Sequence, residues 1–134
     1  MQITLGYLTR VTGGQLLSGY EQMIITGVST DSRQVKKGEV FFALPGENYD
    51  GHNFVAEAFE KGANAAVVST VDCYLPDEVK QGLVLVNDTV QALQDLAAAW
   101  RLNYKLPLIA ITGSVGKTTT RDLLSSILST RWTT

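Results

Sequence analysis

Short apolar runs alternate with segments of helical period along this chain, and that alternation restricts the fold more than any other feature. Glu39–Leu44, Ala65–Val68, Leu83–Val86 and Leu108–Thr112 are strand-sized runs rich in branched and aromatic residues. Between and after them the apolar positions move to a spacing of three and four. Phe54, Val55, Ala58 and Phe59 mark a helix from His52 to Lys61, which Gly62 ends. Thr89 is placed to cap a long helix with Val90, Leu93, Leu96, Ala97 and Trp100 along one side. Leu123, Leu124, Ile127 and Leu128 mark a third helix, from Lys117 to Ser129. Strands that are apolar throughout, separated by helices, belong to α/β folds whose sheet is covered on both faces.

The first forty residues add smaller elements. Thr4 can cap a helix running to about Thr12, with Leu5, Leu8 and Val11 on one face and Gly13-Gly14 as the stop. Met23–Thr30 reads as one β-branched strand, followed by a polar loop from Asp31 to Gly38. The expected architecture is a small, three-layer-like α/β domain over residues 1–106, with a short mixed sheet and flanking helices.

A chain of 134 residues is long enough for one ordinary domain and too short for two. Leu108–Thr112 and the helix after it therefore read as the opening of a second domain, over 107–134, with the boundary near Lys105–Pro107. A lone strand and helix cannot cover their own apolar surface. The expectation is that the Leu123/Leu124/Ile127/Leu128 stripe and Trp132 lack a core, leaving the tail disordered, docked on the first domain or paired with a second molecule.

Composition excludes several classes. With 45% apolar and 18% charged residues the chain suits a globular domain rather than a disordered one. A net charge of −2 supplies no basic field for nucleic acid or an anionic membrane, so any phosphate binding needs a local device. Cys73 is the sole cysteine and His52 the sole histidine, which rules out an intrachain disulfide and a Cys/His metal cluster. The N-terminus lacks a signal-peptide pattern, and no apolar run is long enough to span a bilayer. The expected location is the cytoplasm.

The local device lies at Thr112-Gly113-Ser114-Val115-Gly116-Lys117-Thr118-Thr119, between the last apolar run and the last helix. A glycine-rich loop opening a helix offers backbone N–H groups to a phosphate chain. Lys117 would reach the terminal phosphates, and Thr118 would give a hydroxyl to Mg²⁺. The general pattern G-x-x-x-x-G-K-[ST] also asks for glycine where this chain has Ile111.

With the first glycine moved closer, Thr-Gly-x-x-Gly-Lys-Thr resembles the loop of the ATP-dependent Mur ligases. A second block is similar to the same family: Ser29-Thr30-Asp31-Ser32-Arg33-Gln34-Val35, Gly38, Phe41–Gly46 and Asp50-Gly51-His52-Asn53-Phe54, continuing at Ala58 and Gly62–Ala65. The resemblance implies a first domain that holds the UDP end of a nucleotide sugar and the start of a central P-loop ATPase domain. It implies that Thr30, Asp31, Ser32 and Arg33 lie near uridine and diphosphate, and that Gly46, Glu47, Asn48 and Tyr49 belong to the loop lining the uracil pocket.

By the same resemblance Lys117 is the catalytic residue, ATP and Mg²⁺ are the cofactors, and the reaction runs through an acyl phosphate. The loop is most similar to that of the member adding D-alanyl-D-alanine to UDP-N-acetylmuramoyl-tripeptide, with the diamino-acid-adding member as the alternative. The whole enzyme is expected to be a monomer, and this portion alone inactive. Two other classes stay open: a self-sufficient small P-loop NTPase, and a non-enzymatic α/β module with a vestigial loop.

The residues of this second block also have a plainer chemistry. Asp31 and Ser32 after a strand suit an Asx-turn, with Arg33 paired to Asp31 on the surface, as readily as they suit a ribose or a phosphate. Asp50-Gly51-His52 reads first as a turn leading into a helix, with His52 structural.

Overall fold

The computed structural model describes residues 1–72, 81–105 and 107–131, so Cys73, Leu106 and Trp132 lie outside it. The chain divides into two compact units, Met1–Asn103 and Tyr104–Thr134. In the first, the strands are β1 (Ile3–Thr4), β2 (Gln15–Ser18), β3 (Ile24–Ile25), β4 (Gly27–Ser29), β5 (Glu39–Phe42), β6 (Ala65–Val68) and β7 (Gly82–Leu85). Its helices are α1 (Leu5–Thr12), α2 (Val55–Glu60) and α3 (Thr89–Leu102).

A five-stranded mixed sheet runs in the order β2-β7-β6-β5-β4. The pairs β4/β5, β5/β6 and β6/β7 are parallel, and β2 is an antiparallel edge. Side chains of successive strand residues point to opposite faces. Val40, Phe42, Ala65, Val67 and Val84 accordingly join one core cluster with Leu5, Leu8, Ala92 and Leu96 of α1 and α3. Phe41, Ala66, Val68 and Leu83 join another, with Val55, Ala58 and Phe59 of α2. Burial of both faces explains why these strands read as unbroken apolar runs and not as alternating ones.

In the first unit the structure departs from the sequence reading at four places. Met23–Thr30 is not one strand: the chain breaks at Thr26, whose N–H bonds Gly38 O at 2.9 Å, so β3 pairs with β1 in a separate two-stranded sheet while β4 joins the main one. The segment His52–Lys61 begins as a 3₁₀ turn over Gly51–Phe54, started by the Asp50 carboxylate accepting from His52 N, before α2. Strand β2 carries no apolar alternation that would announce it; its polar ends and irregular register beside β7, between Leu16 and Ser18, leave Leu17 exposed.

The fourth concerns α3. Asp88, not Thr89, is its cap, with Oδ1 accepting from Val90 N and Gln91 N at 2.8 and 3.0 Å. Thr89 is 1% exposed and its hydroxyl donates instead to Ala43 O, at 2.8 Å. This turns the buried face to Thr89, Ala92 and Leu96, leaving Val90 and Ala97 outside. Thr4 does cap α1, accepting from Tyr7 N, and Gly13 ends it in the left-handed conformation.

In the second unit α4 spans Lys117–Leu128. Leu108–Thr112 forms no ladder there, since a strand needs a neighbouring edge for its N–H and C=O groups and this unit supplies none among the described residues. Leu123 and Ile127 of α4 are exposed, and Leu124 and Leu128 are half-buried.

Candidate functional site

Parallel strands β4 and β5 end side by side, and an open cleft of about 590 Å³ lies past their C-terminal ends. One wall is the turn Thr30, Asp31, Ser32 and Arg33, which follows β4. Phe41, Leu44 and Phe54 give apolar surface; Tyr49, Gly51 and Glu57 complete the lining. Ligands of open α/β sheets gather at such strand ends because the loops there diverge and leave a crevice.

Hydrogen bonds fix the turn. Asp31 Oδ1 accepts from Arg33 N at 3.0 Å, an Asx-turn, and the guanidinium of Arg33 closes on the same carboxylate through Nε at 3.0 Å and NH2 at 2.9 Å. These bonds, the side-chain ones first, hold the Asp31 carboxyl down at about 2. Two of the five guanidinium donors are thereby committed, and the arginine side chain is otherwise exposed.

Ser32 is buried, and its Oγ donates to Glu57 Oε2 at 2.9 Å. The other carboxylate oxygen pairs with Lys61 Nζ at 3.0 Å, and the Lys61 and Ser32 hydrogen bonds lower the carboxyl's affinity for a proton. Lys61 Nζ also reaches Arg33 O at 3.4 Å, so α2 and the turn form one connected wall.

The opposite rim depends on Gly51. A Cβ there would lie 2.7 Å from Leu44 N and 2.8 Å from Leu44 O, so only glycine lets the loop return this close to the end of β5. Tyr49 enters the lining from that loop, whereas Gly46, Glu47 and Asn48 are exposed and do not line the cleft.

Asp50, His52 and Ser69 stand in a row, with 2.6 Å from Asp50 Oδ1 to His52 Nδ1 and 3.1 Å from His52 Nε2 to Ser69 Oγ. The row resembles a nucleophile with its base. However, Nε2 accepts the backbone N–H of Ser69 at 2.9 Å, which occupies the lone pair a base would use. His52 is buried and ties the loop to the end of β6, a structural task.

In the second unit the phosphate-loop residues sit at the start of α4. Gly113 and Gly116 take φ of +145° and +81°, and a Cβ on Gly116 would meet nothing within 4 Å. Glycine is thus required there by backbone conformation and not by crowding. The bond from Thr120 N to Gly116 O is the first of the helix, so the amides of Lys117, Thr118 and Thr119 point out of its end. Lys117 Nζ donates to Gly113 O across the loop. Ser114, Val115 and Thr112 are exposed beside it. Among the described residues no helix is long and apolar enough to cross a membrane, and no group of three or more His, Cys, Asp or Glu is placed to hold a metal ion.

Against known proteins, residues 24–101 match the Mur ligase family, catalytic domain. The chain belongs to the Mur ligase family. The UDP-N-acetylmuramoyl-tripeptide–D-alanyl-D-alanine ligase of Synechocystis is 43% identical over 109 residues, covering 81% of this chain and 24% of its own length. The crystal structure of MurF from Acinetobacter baumannii superposes with a TM-score of 0.85 at 38% identity, over 98% of this chain and 28% of that one. MurF from Thermotoga maritima, solved with ADP, gives 0.68 at 32% identity over 78% and 23%. The chain therefore spans about a quarter of the length of the Mur ligases it matches.

Within this Mur ligase fold, Thr30–Arg33 and Tyr49 come together in one cleft, while Thr112–Thr119 gather at the start of α4. Phe41, Leu44, Phe54, Gly51 and Glu57 were missed as site residues. The first three read as core positions, and Glu57, in the first turn of α2, reads as an ordinary solvated carboxylate.

Proposed function

We propose that this chain forms the nucleotide-sugar-binding part and the phosphate loop of an ATP-dependent ligase that joins D-alanyl-D-alanine to UDP-N-acetylmuramoyl-tripeptide, a cytoplasmic step in making peptidoglycan precursors. The observation that carries the reading is the cleft past β4 and β5, lined by Thr30–Arg33 and Tyr49, in a chain 43% identical to a ligase of that name. Thr30 and Ser32 supply hydroxyls, Arg33 supplies the cation for the diphosphate, and the apolar lining suits a flat base. Gly46, Glu47 and Asn48 belong to the loop that delivers Tyr49 to the rim.

The residues of the second unit fit a nucleotide's phosphates. The space over Gly116 is open, three helix amides point out, and the Lys117 ammonium lies across the loop. ATP supplies, when bound, the phosphoryl group that activates a carboxylate toward an amine. The loop amides of Gly113–Thr119 hold phosphate oxygens, and Lys117 neutralises charge that builds up on them. Thr118 offers one hard oxygen to Mg²⁺, an ion that commonly takes its remaining ligands from phosphates and water.

Titration of the chain with UDP-N-acetylmuramoyl-tripeptide, followed by amide NMR shifts, tests the cleft. Shifts are expected at Thr30–Arg33 and Tyr49; shifts confined to residues away from the cleft would overturn the assignment. In the complete ligase, turnover with D-alanyl-D-alanine and none with a diamino acid is the expected pattern, and the reverse would assign the alternative substrate.

A further inference from the structure

The Ser32–Glu57 pair does more than brace the wall. A hydroxyl has one proton to donate and two lone pairs to accept with. Glu57 is an ionised carboxylate paired with Lys61, so it can only accept, and the proton in the 2.9 Å contact is the one on Ser32 Oγ. Ser32, buried to 6% exposure in the lining of the cleft, has lone pairs alone left for a further partner. At Ser32 the wall only accepts, and with a carboxylate behind it that point is unfavourable for phosphate oxygens, which accept too and carry negative charge. It selects a neutral donor. Ribose hydroxyls donate and accept alike and are common to every nucleotide, so they give this wall nothing to distinguish. The flanking surface from the half-buried Leu44 and Phe54 is apolar and suits a base rather than a sugar.

We propose that Glu57, by holding the Ser32 proton, is a specificity-determining positioning residue that makes Ser32 an acceptor for the imide N–H of uracil and sets the cleft against bases that present an acceptor there. The inference rests on the reading of the cleft as the nucleotide-sugar site. It also separates the two ends of the ligand: the base lies against Ser32 and Glu57, and the diphosphate is left to Arg33, the cation among the described lining residues.

Calorimetry on the 134-residue chain with UDP, CDP and UDP methylated at the imide nitrogen tests this. UDP is expected to bind about tenfold or more tightly than either of the others, because each of them leaves Ser32 Oγ facing a group that cannot donate to it. In Glu57→Ala the freed hydroxyl can turn its proton to the ligand, so the UDP/CDP ratio should fall severalfold, with CDP gaining relative to UDP. An unchanged ratio in that variant overturns the assignment. If Glu57→Ala fails to fold, the wild-type chain decides: equal affinity for UDP and its imide-methylated form refutes the proposal. No binding of UDP by the wild-type chain at millimolar concentration overturns the cleft reading itself, whereas binding with a flat ratio overturns only the role given to Glu57.

Discussion

Replacing Thr89 by valine keeps the shape of the side chain and deletes one hydrogen bond. Thr89 is 1% exposed, and its Oγ1 lies 2.8 Å from Ala43 O, just past the end of β5, so the bond joins the first turn of α3 to the strand end beside the cleft. Valine would leave that carbonyl facing a methyl group in a site closed to water. An orphaned buried acceptor costs about 1–3 kcal/mol. In a unit of this size each kcal/mol lowers Tm by about 4–8 °C. Thr89→Val should therefore melt at least about 5 °C below the parent, with an unchanged urea m-value, because the surface exposed on unfolding is the same. Thr89→Ser keeps the bond and loses a methyl group, about 1 kcal/mol of burial, so it should fall between the two. Asp88→Ala should cost about 1 kcal/mol through the lost cap. A Thr89→Val protein melting within about 2 °C of the parent, or an Asp88→Ala protein indistinguishable from it, would refute the assignment of cap and tie.

Gly51→Ala should lower stability by about 1–3 kcal/mol, because the new Cβ would sit 2.7 Å from Leu44 N; it should also weaken UDP-substrate binding in the same titration, and an unchanged dissociation constant would count against the rim's role. The Asp31 carboxyl, held at about 2 by Arg33, should titrate near that value by carbon NMR and return toward 3.8 in Arg33→Gln. Since its folded value is depressed, the contribution of this pair is complete above about 3.8 and is lost as pH falls through about 2; a wild-type midpoint near 3.8 would show that the pair does not persist in solution. In the complete ligase, Lys117→Ala should reduce turnover by about 10²-fold or more while leaving UDP-substrate affinity within about twofold, because the described lining of the cleft lies wholly in Met1–Asn103; rates near those of the parent would remove Lys117 from catalysis.

Legibility followed the range of the interactions concerned. Ala65–Val68 and the Thr4-capped helix α1 were plain because four successive apolar residues, or a hydroxyl three residues from its amide, carry their own signal. The double-sided burial of the sheet was legible for a similar reason, since Val40–Ala43 and Ala65–Val68 contain no polar position that could face water. Strand β2 was not, because Gln15–Ser18 is held by pairing with β7, nearly seventy residues away. The break at Thr26 is set by Gly38 O, again a partner the local pattern does not contain. At α3 both Asp88 and Thr89 are good caps by type, and the choice between them came from the buried carbonyl of Ala43.

The candidate site divides the same way. Sequence alone brought Gly113, Gly116 and Lys117 forward as a candidate phosphate loop, because glycine's tolerance of positive φ and lysine's fixed charge are properties of single residues. It also brought the Thr30–Arg33 segment forward, together with its plainer pairing of Arg33 to Asp31, which the structure contains. Only the tertiary structure decided that Glu57 stands behind Ser32, twenty-five positions along the chain, and that Gly51 closes against Leu44. A hydroxyl's direction depends on what accepts its proton, and that partner is chosen by how α2 packs on the sheet. The site's parts are therefore local, while the sense in which it accepts or donates is tertiary.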